Sequence, residues 1–263
     1  MTVLDEILAT KRDEVTMLHR PQVRDLLRAR ALEAAPARDF AGALRPVSGT
    51  LGVVAEIKRR SPSKGDLAID LDPAALAVQY RDGGASCLSV LTDEDHFGGS
   101  AADLAAARGA VELPVLRKDF TVSANDVVDA RLMGADCVLL IAAALDDAEL
   151  RDFAALADQI GLDALVEVHD EAELERAVAH TGTRLVGVNQ RDLVTFQVDQ
   201  ARAVRVAAEM PDDTVRVAES GVRGRDDALA LAAAGYHAVL VGEHLVTSED
   251  PSAALDALRV GTP

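Results

Sequence analysis

The chain has 263 residues, 49% of them hydrophobic, which suits one large domain whose core needs neither metal nor disulfide. The formal net charge of −17 argues against a nucleic acid or an anionic membrane as partner. No apolar run approaches the roughly 20 residues that a membrane-spanning helix needs, and the N-terminus meets charged residues too early for a secretory signal.

The first 50 residues are predicted to be helical. Their apolar residues recur at helical spacing in two groups, which predicts two helices packed on the domain that follows. The groups are Leu4, Ile7, Leu8, Val15 and Leu18, then Val23, Leu26 and Leu27. We place residues 1–50 as an N-terminal helical extension and residues 51–263 as the main body, together forming one domain.

Eight short runs rich in valine, leucine and isoleucine follow, with starts 22 to 34 residues apart. They are Val53–Lys58, Cys87–Thr92, Pro114–Asp119, Cys137–Ala142, Asp163–Val168, Leu185–Gln190, Val215–Ser220 and Ala238–Glu243. Alanine-rich amphipathic stretches separate them, and several end on glycine, the usual helix stop. These stretches include Pro73–Asp82, Ser123–Met133, Ala148–Ile160, Glu171–His180, Gln200–Met210 and Arg225–Ala234, and the glycines are Gly83, Gly134, Gly161, Gly182 and Gly235.

This alternation predicts strand–helix–strand units and a parallel sheet. Eight units in about 210 residues favour a closed (β/α)8 TIM barrel over an open doubly wound sheet. No Gly-x-Gly-x-x-Gly follows the first run, which argues against a dinucleotide-binding fold. Cys87 and Cys137 both lie inside apolar runs, which is typical of buried free thiols in a reducing compartment, so we expect a cytoplasmic protein.

Polar residues close most of these runs, at the strand ends where TIM-barrel active sites lie. They are Glu56, Lys58, Lys118, Glu167, Asn189, Glu219 and Ser220. Side chains alternate along a strand, so Glu56 and Lys58 share the inward face, about 6.6 Å apart. Only four of the 27 basic residues are lysines, and Lys58, Lys64 and Lys118 stand at or just past a run. Charges converging inside a barrel indicate a site with shifted pKa values.

Glycine also follows the last two runs, in Ser220-Gly221-Val222 and Gly242-Glu243-His244. A glycine there lets backbone N–H groups approach an anion, which is how TIM barrels commonly hold phosphate. We therefore expect a phosphate site made of Ser220, Gly221, Gly242 and Glu243, with the Glu243 side chain turned to solvent.

At these positions the chain resembles the indole-3-glycerol-phosphate synthase family, from about residue 3 to residue 258. The matching motifs stand in family order along the chain. They are Glu56–Gly65, Ser89–Asp93 with Phe97–Ser100, Leu116–Phe120, Leu165–His169, Gly187–Leu193 and Ala218–Val222.

The resemblance implies ring closure of 1-(2-carboxyphenylamino)-1-deoxy-D-ribulose 5-phosphate, with loss of CO₂ and water and no cofactor. By resemblance, Lys118 is the general acid that activates the ketone, and Glu167 handles the proton and the leaving hydroxyl. Lys58 holds the anionic substrate and can supply a proton during dehydration. The remaining site residues position the substrate or its phosphate: Glu56, Asn189, Arg191, Glu219, Ser61, Phe97 and Phe120, together with the phosphate set given above.

Departures from the family are modest. Gln190 stands where the family often has asparagine, and Glu243-His244 fills a variable position. The chain has no tryptophan, so Phe97, Phe120 and aliphatic residues must form the wall around the anthranilate ring.

Two other functions stay open at this point: a Schiff-base phosphosugar aldolase, and a non-catalytic phosphometabolite-binding barrel that kept the pocket. The six histidines are scattered without metal-ligand spacing, so no metal is implied. The partner we expect is an anionic phosphosugar, with no nucleic acid and no membrane. We take the chain as a monomer that could contact other tryptophan-pathway enzymes transiently.

Overall fold

The computed structural model describes residues 2–18, 21–45, 49–191 and 198–262. Eight parallel strands form a closed barrel in chain order, so the predicted (β/α)8 TIM barrel is confirmed. The strands are β1 (Gly52–Ile57), β2 (Cys87–Leu91), β3 (Val115–Lys118), β4 (Cys137–Ile141), β5 (Asp163–Val168), β6 (Leu185–Asn189), β7 (Val215–Glu219) and β8 (Ala238–Val241). Each lies within two residues of its predicted bounds.

Helices alternate with the strands and cover the barrel. They are α1 (Val3–Leu18), α2 (Pro21–Glu33), α3 (Phe40–Ala43), α4 (Pro73–Asp82), α5 (Ala101–Ala110), α6 (Ala124–Leu132), α7 (Asp147–Gln159), α8 (Glu171–Thr181), α9 (Gln200–Glu209), α10 (Arg225–Ala233), α11 (Glu243–Val246) and α12 (Pro251–Leu258). Side-chain caps fix many of their starts; Ser123 and Asp126 form a capping box at α6, and Asp146 and Glu149 form one at α7. The outward faces of the strands and the inward faces of the helices pack together into a core made mostly of alanine, valine, leucine and isoleucine.

The strand register places the polar strand ends at one level. Asn189 pairs with Glu219 across β6 and β7, and Glu167 pairs with Gly187 across β5 and β6. On the other side of the barrel, Lys118 pairs with Leu91 across β2 and β3. Because all the strands are parallel, their carboxyl ends open on the same mouth.

The N-terminal segment runs the height of the barrel. Lys11 on α1 forms ion pairs near the mouth with Asp93 (3.0 Å) and Asp119 (3.3 Å). α2 packs on α6, and Phe40 of α3 is fully buried at the opposite end. The two predicted helices are thus present, followed by a short third one that the sequence did not predict.

Asp136, fully buried at the start of β4, ties this segment to the base of the barrel. Its carboxylate accepts hydrogen bonds from the backbone N–H of Arg38 (2.7 Å) and of Val115 (2.9 Å), and pairs with Arg108. Arg131 donates to the carbonyls of Ala34 and Ala35. These hydrogen bonds satisfy backbone N–H and C=O groups of the segment that links α2 to β1.

One sequence prediction was wrong, and one helix end is made in an unexpected way. Leu26 was expected to pack on the barrel, but its side chain is 61% exposed because Leu27 occupies the inward position on α2. α4 does end at the predicted glycine, with Gly83 as its C-cap at a right-handed φ of −74°, and Gly84 makes the left-handed turn at φ 89°. The predicted packing of Leu18 and Val23, and the motif residue Leu193, lie outside the residues or side chains described.

Both cysteines are buried free thiols, as predicted, and burial raises their pKa well above the usual thiol range. In the described part of the chain, no helix has the length and apolar character that crossing a membrane requires.

Candidate active site

One cavity of about 730 Å³ opens at the carboxyl ends of the strands. All the sequence-predicted site residues line it: Glu56, Lys58, Ser61, Phe97, Lys118, Phe120, Glu167, Asn189, Arg191, Glu219, Ser220, Gly221, Gly242 and Glu243. They reach it from β1, β3, β5, β6 and β7 and from the loops that follow the strands.

Lys118 and Glu167 face each other in this cavity. The distance between Lys118 Nζ and Glu167 Oε2 is 3.9 Å, while Glu167 Oε1 accepts a hydrogen bond from Asn189 Nδ2 at 3.0 Å. Burial alone would lower the pKa of Lys118, but the nearby carboxylates, Glu167 above all and then Glu56 and Asp119, outweigh burial and raise that pKa. A protonated lysine therefore stands opposite a carboxylate.

Glu219 lies beside Glu167, and the two buried carboxyls titrate together. Burial raises the pKa of Glu219 well above its usual range, and the neighbouring Glu167 charge adds to the effect. Burial also opposes ionisation of Glu167, yet the Lys118 charge and His169 bring its pKa below normal. These opposite directions favour a pair in which Glu167 is ionised and Glu219 keeps its proton. Gly187 makes room for this pair, since a Cβ there would collide with Glu219 Oε1.

Lys58 and Glu56 form a second ion pair across the cavity, with 2.5 Å between Nζ and Oε1. Gly242 faces this pair: a Cβ on it would collide with Glu56 Oε1 and lie 3.1 Å from Lys58 Nζ. We predicted Gly242 from phosphate approach alone. The structure shows a second reason for glycine at this position: a side chain there would occupy the space of the Glu56 carboxylate.

The loop after β7 turns through the left-handed region at two successive residues, Ser220 (φ 62°) and Gly221 (φ 76°). Gln190 holds this turn by donating from Nε2 to the Ser220 carbonyl at 3.0 Å. Within the described residues, the backbone N–H of Gly221 finds no backbone acceptor. The Glu243 side chain, nearly half exposed, pairs with Lys64 at 3.4 Å.

Apolar residues form the opposite wall. Phe97 and Phe120 pack with ring centroids 6.4 Å apart at a 40° tilt. Leu4 and Ile7 of α1 and Leu91 of β2 line the same space. The aliphatic residues that must complete a tryptophan-free wall therefore come partly from the N-terminal helix.

Sequence reasoning missed the use of two residues. Lys11 anchors α1 over the mouth through its ion pairs with Asp93 and Asp119. The scarcity of lysine in this chain could have drawn attention to Lys11, but no residue near it in the sequence indicated these two partners. His169 was quoted within a motif and given no role, yet its Nε2 lies 3.6 Å from Glu167 Oε1.

No cluster of three or more histidine, cysteine, aspartate or glutamate side chains with metal-binding geometry occurs among the residues that the structure covers. The lysines and carboxylates of the cavity are paired with one another, which suits proton transfer and anion binding.

Comparison with known proteins matches this chain to one family over nearly its whole length. The family model described as Indole-3-glycerol phosphate synthase covers residues 4–258. A protein of that name from Arthrobacter sp. (strain FB24) is 53% identical over 95% of this chain and 93% of its own length. The one from Mycobacterium avium (strain 104) is 48% identical over 99% and 95%, respectively.

Among solved structures, the fold is similar to thiamine phosphate pyrophosphorylase from Pyrococcus furiosus, with a TM-score of 0.60 at 15% identity. That likeness covers 84% of this chain and 96% of the other. A 3-hexulose-6-phosphate synthase has a TM-score of 0.59 at 16% identity, over 79% of this chain and 98% of that one. At such identities the likeness shows the barrel fold alone.

Proposed function

The chain belongs to the indole-3-glycerol phosphate synthase family, and we propose that Lys118, Glu167 and Lys58 carry the proton transfers of its reaction. The enzyme is a carboxy-lyase of tryptophan biosynthesis. It converts 1-(2-carboxyphenylamino)-1-deoxy-D-ribulose 5-phosphate to indole-3-glycerol phosphate by forming the indole ring, and it releases CO₂ and water.

In the first half of the reaction, the ring carbon that carries the carboxylate attacks the substrate ketone and a carbon–carbon bond forms; the later loss of CO₂ from that carbon restores the aromatic six-membered ring. Lys118 donates a proton to the oxygen on which negative charge develops, and the carboxylate leaves as CO₂. In the second half, the hydroxyl leaves as water and the carbon next to the nitrogen loses a proton, which forms the second double bond of the bicycle's five-membered ring and makes that ring aromatic. Glu167 takes that proton and assists the departing hydroxyl, while Lys58 holds the anionic substrate and supplies a proton during dehydration.

One observation carries this assignment: Lys118 Nζ lies 3.9 Å from Glu167 Oε2 in the cavity. The raised pKa of Lys118 and the lowered pKa of Glu167 favour a protonated lysine facing an ionised carboxylate. The reaction needs one group that donates a proton and a second group that then removes one, so the first must be protonated and the second ionised. Asn189 fixes the carboxylate from behind, so that Oε2 stays turned toward Lys118.

The activity itself is tested with the synthetic substrate. Purified protein should form indole-3-glycerol phosphate, followed by indole fluorescence, at an unchanged rate in EDTA and without nucleotide. Absence of product over hours at micromolar enzyme would contradict the assignment. Borohydride trapping of Lys118 with a keto-phosphate would instead favour the aldolase, and substrate binding without turnover would favour the non-catalytic barrel.

We place the substrate phosphate at the backbone of Ser220 and Gly221, facing Gly242 and Glu243 across the mouth. Gly221→Ala should raise KM at least about tenfold, because φ 76° strains a side chain there and its Cβ would collide with Val198. Glu243→Gln should change KM by less than about threefold, as for a weakly coupled exposed charge.

Gly161→Ala is the matched control, since Gly161 has φ 74° with nothing within 4 Å of its added Cβ and lies beyond α7. It should lose only the stability that a left-handed alanine costs, and its KM should stay at the wild-type value. A substrate analogue lacking phosphate should bind wild type and Gly221→Ala equally. If the analogue loses as much affinity as the substrate, the phosphate lies elsewhere.

We also propose a single-subunit cytoplasmic enzyme in which residues 1–50 extend the barrel domain. Support for the compartment comes from the two buried free thiols, and support for the extension comes from Leu4 and Ile7 of α1, which line the cavity together with residues of the barrel. The positive side chains that an anionic phosphosugar needs in so acidic a protein are also present, in Lys58, Lys64 and Arg191.

A further inference from the structure

His169 follows β5 and sits behind Glu167, outside the cavity lining. Its Nε2 lies 3.6 Å from Glu167 Oε1, on the side of the carboxylate away from Lys118. The imidazole is nearly buried, with 11% of its side chain exposed. Among the described residues, Nε2 has no hydrogen-bond partner and points at a charged carboxylate.

Glu173, in the first turn of α8, fixes the other side of the ring. Glu173 Oε2 lies 3.1 Å from His169 Nδ1 and also accepts the His169 backbone N–H at 2.8 Å. Asp170 caps α8 by accepting from the Glu173 backbone N–H at 2.8 Å, which anchors this carboxylate in turn. The ring therefore bridges two carboxylates, one structural and one in the cavity.

The charges around the ring favour its protonated form. Burial lowers the pKa of His169, but the hydrogen bond to Glu173 and the charges of Glu167 and Glu173 outweigh burial, and the result is a raised pKa. Arg202 of α9 acts in the opposite direction. Beyond Glu167, the groups facing the pair are Lys118 and Glu219.

We propose that His169 is a positioning residue for Glu167: held by Glu173, its imidazolium keeps the carboxylate ionised and turned with Oε2 toward the cavity. This inference rests on the proposed role of Glu167 as the base. Two positive groups then flank Glu167, Lys118 in front and His169 behind. Glu219, whose pKa is raised by burial and by the Glu167 charge, remains the neutral member of the carboxyl pair.

The test is the pH profile of kcat for His169→Gln. Glutamine retains an amide donor but carries no charge, so Glu167 should bind its proton at higher pH. We expect the acid limb of kcat to move up by about one pH unit or more. This means about tenfold lower kcat on the acid side, an unchanged plateau and KM within about threefold. A purely structural role would lower kcat equally at all pH values.

His180→Gln is the matched control, because His180 lies on α8 and pairs only with the exposed Asp147 among the contacts described. Its profile should superimpose on that of wild type. An acid limb that stays in place in His169→Gln, in protein with a wild-type unfolding midpoint, overturns the proposal.

A second measurement needs no turnover. In protein with isotope-labelled histidine, the His169 resonance, identified by its absence in His169→Gln, should titrate at lower pH in Glu167→Gln and in Glu173→Gln than in wild type. Unchanged midpoints in both variants overturn the proposal. An inactive wild type with coupled His169 and Glu167 titrations would instead refute the proposed function and leave the pairing intact.

Discussion

Lys118→Arg is expected to lower kcat at least about 100-fold, within the usual range for losing a general acid. Arginine keeps the positive charge near Glu167, so substrate binding and the ion pair should largely persist. It cannot readily give up a proton, however, and its planar fork cannot place a donor where the Lys118 ammonium stands. The loss should therefore appear in kcat under substrate saturation, with a smaller change in KM.

Lys11→Arg is the matched control for this substitution. Lys11 is also a mostly buried lysine at the mouth, but its partners are Asp93 and Asp119, outside the cavity lining. Arginine can make the same ion pairs, so kcat should stay within about threefold of wild type. If Lys118→Arg also stays within that range, Lys118 is an electrostatic anchor and the acid must be sought elsewhere.

The direction of the Lys118 pKa adds a pH criterion. Burial lowers this pKa, but the surrounding carboxylates raise it above the usual lysine value of 10.5. Lys118 should thus remain protonated through neutral and alkaline conditions, and its deprotonation should cause no fall in kcat below about pH 10. A Schiff-base lysine needs the opposite, a free amine near neutral pH, which is a further physical argument against the aldolase.

Most of the barrel could be predicted from the sequence because its strands are buried on both faces. Such strands appear as continuous apolar runs, and all eight runs became strands. The same logic located Glu167 and Asn189, since a polar residue that ends an apolar strand stands out and strand direction fixes the end where it lies. Backbone periodicity was sufficient for these predictions.

Features that depend on side chains far apart in sequence were not predictable in this way. Gly242 leaves room for Glu56 only because β8 pairs with β1 where the barrel closes, although the two residues are far apart in sequence. Lys11 reaches Asp119 over more than a hundred residues. The hairpin formed by Arg60–Ser61 and Gly65–Asp66 is too short to leave a periodic signal. Each needs the tertiary arrangement first, which local propensity does not supply.

The second large effect is expected at the carboxyl pair, where the same substitution should lower kcat strongly at one position and only weakly at its neighbour. Glu167→Gln should lower kcat at least about 100-fold, because an amide can accept the hydrogen bond from Asn189 but cannot take up a proton. Glu219→Gln should lower kcat less than about tenfold, since burial raises the pKa of Glu219 and favours the neutral acid, which an uncharged amide of the same shape replaces.

The contrast tests where the single negative charge resides. Lys118 and His169 flank Glu167, and Asn189 donates to it, so the charge is stabilised there and forces its neighbour to keep a proton. Single-turnover measurements on both variants, with circular dichroism to verify folding, separate the chemical steps from product release. Equal large losses at both positions would mean that the two carboxyls exchange the proton during turnover. A larger loss at Glu219 would make it the base, since the carboxyl that titrates in the reaction is the one that cannot be replaced by its amide.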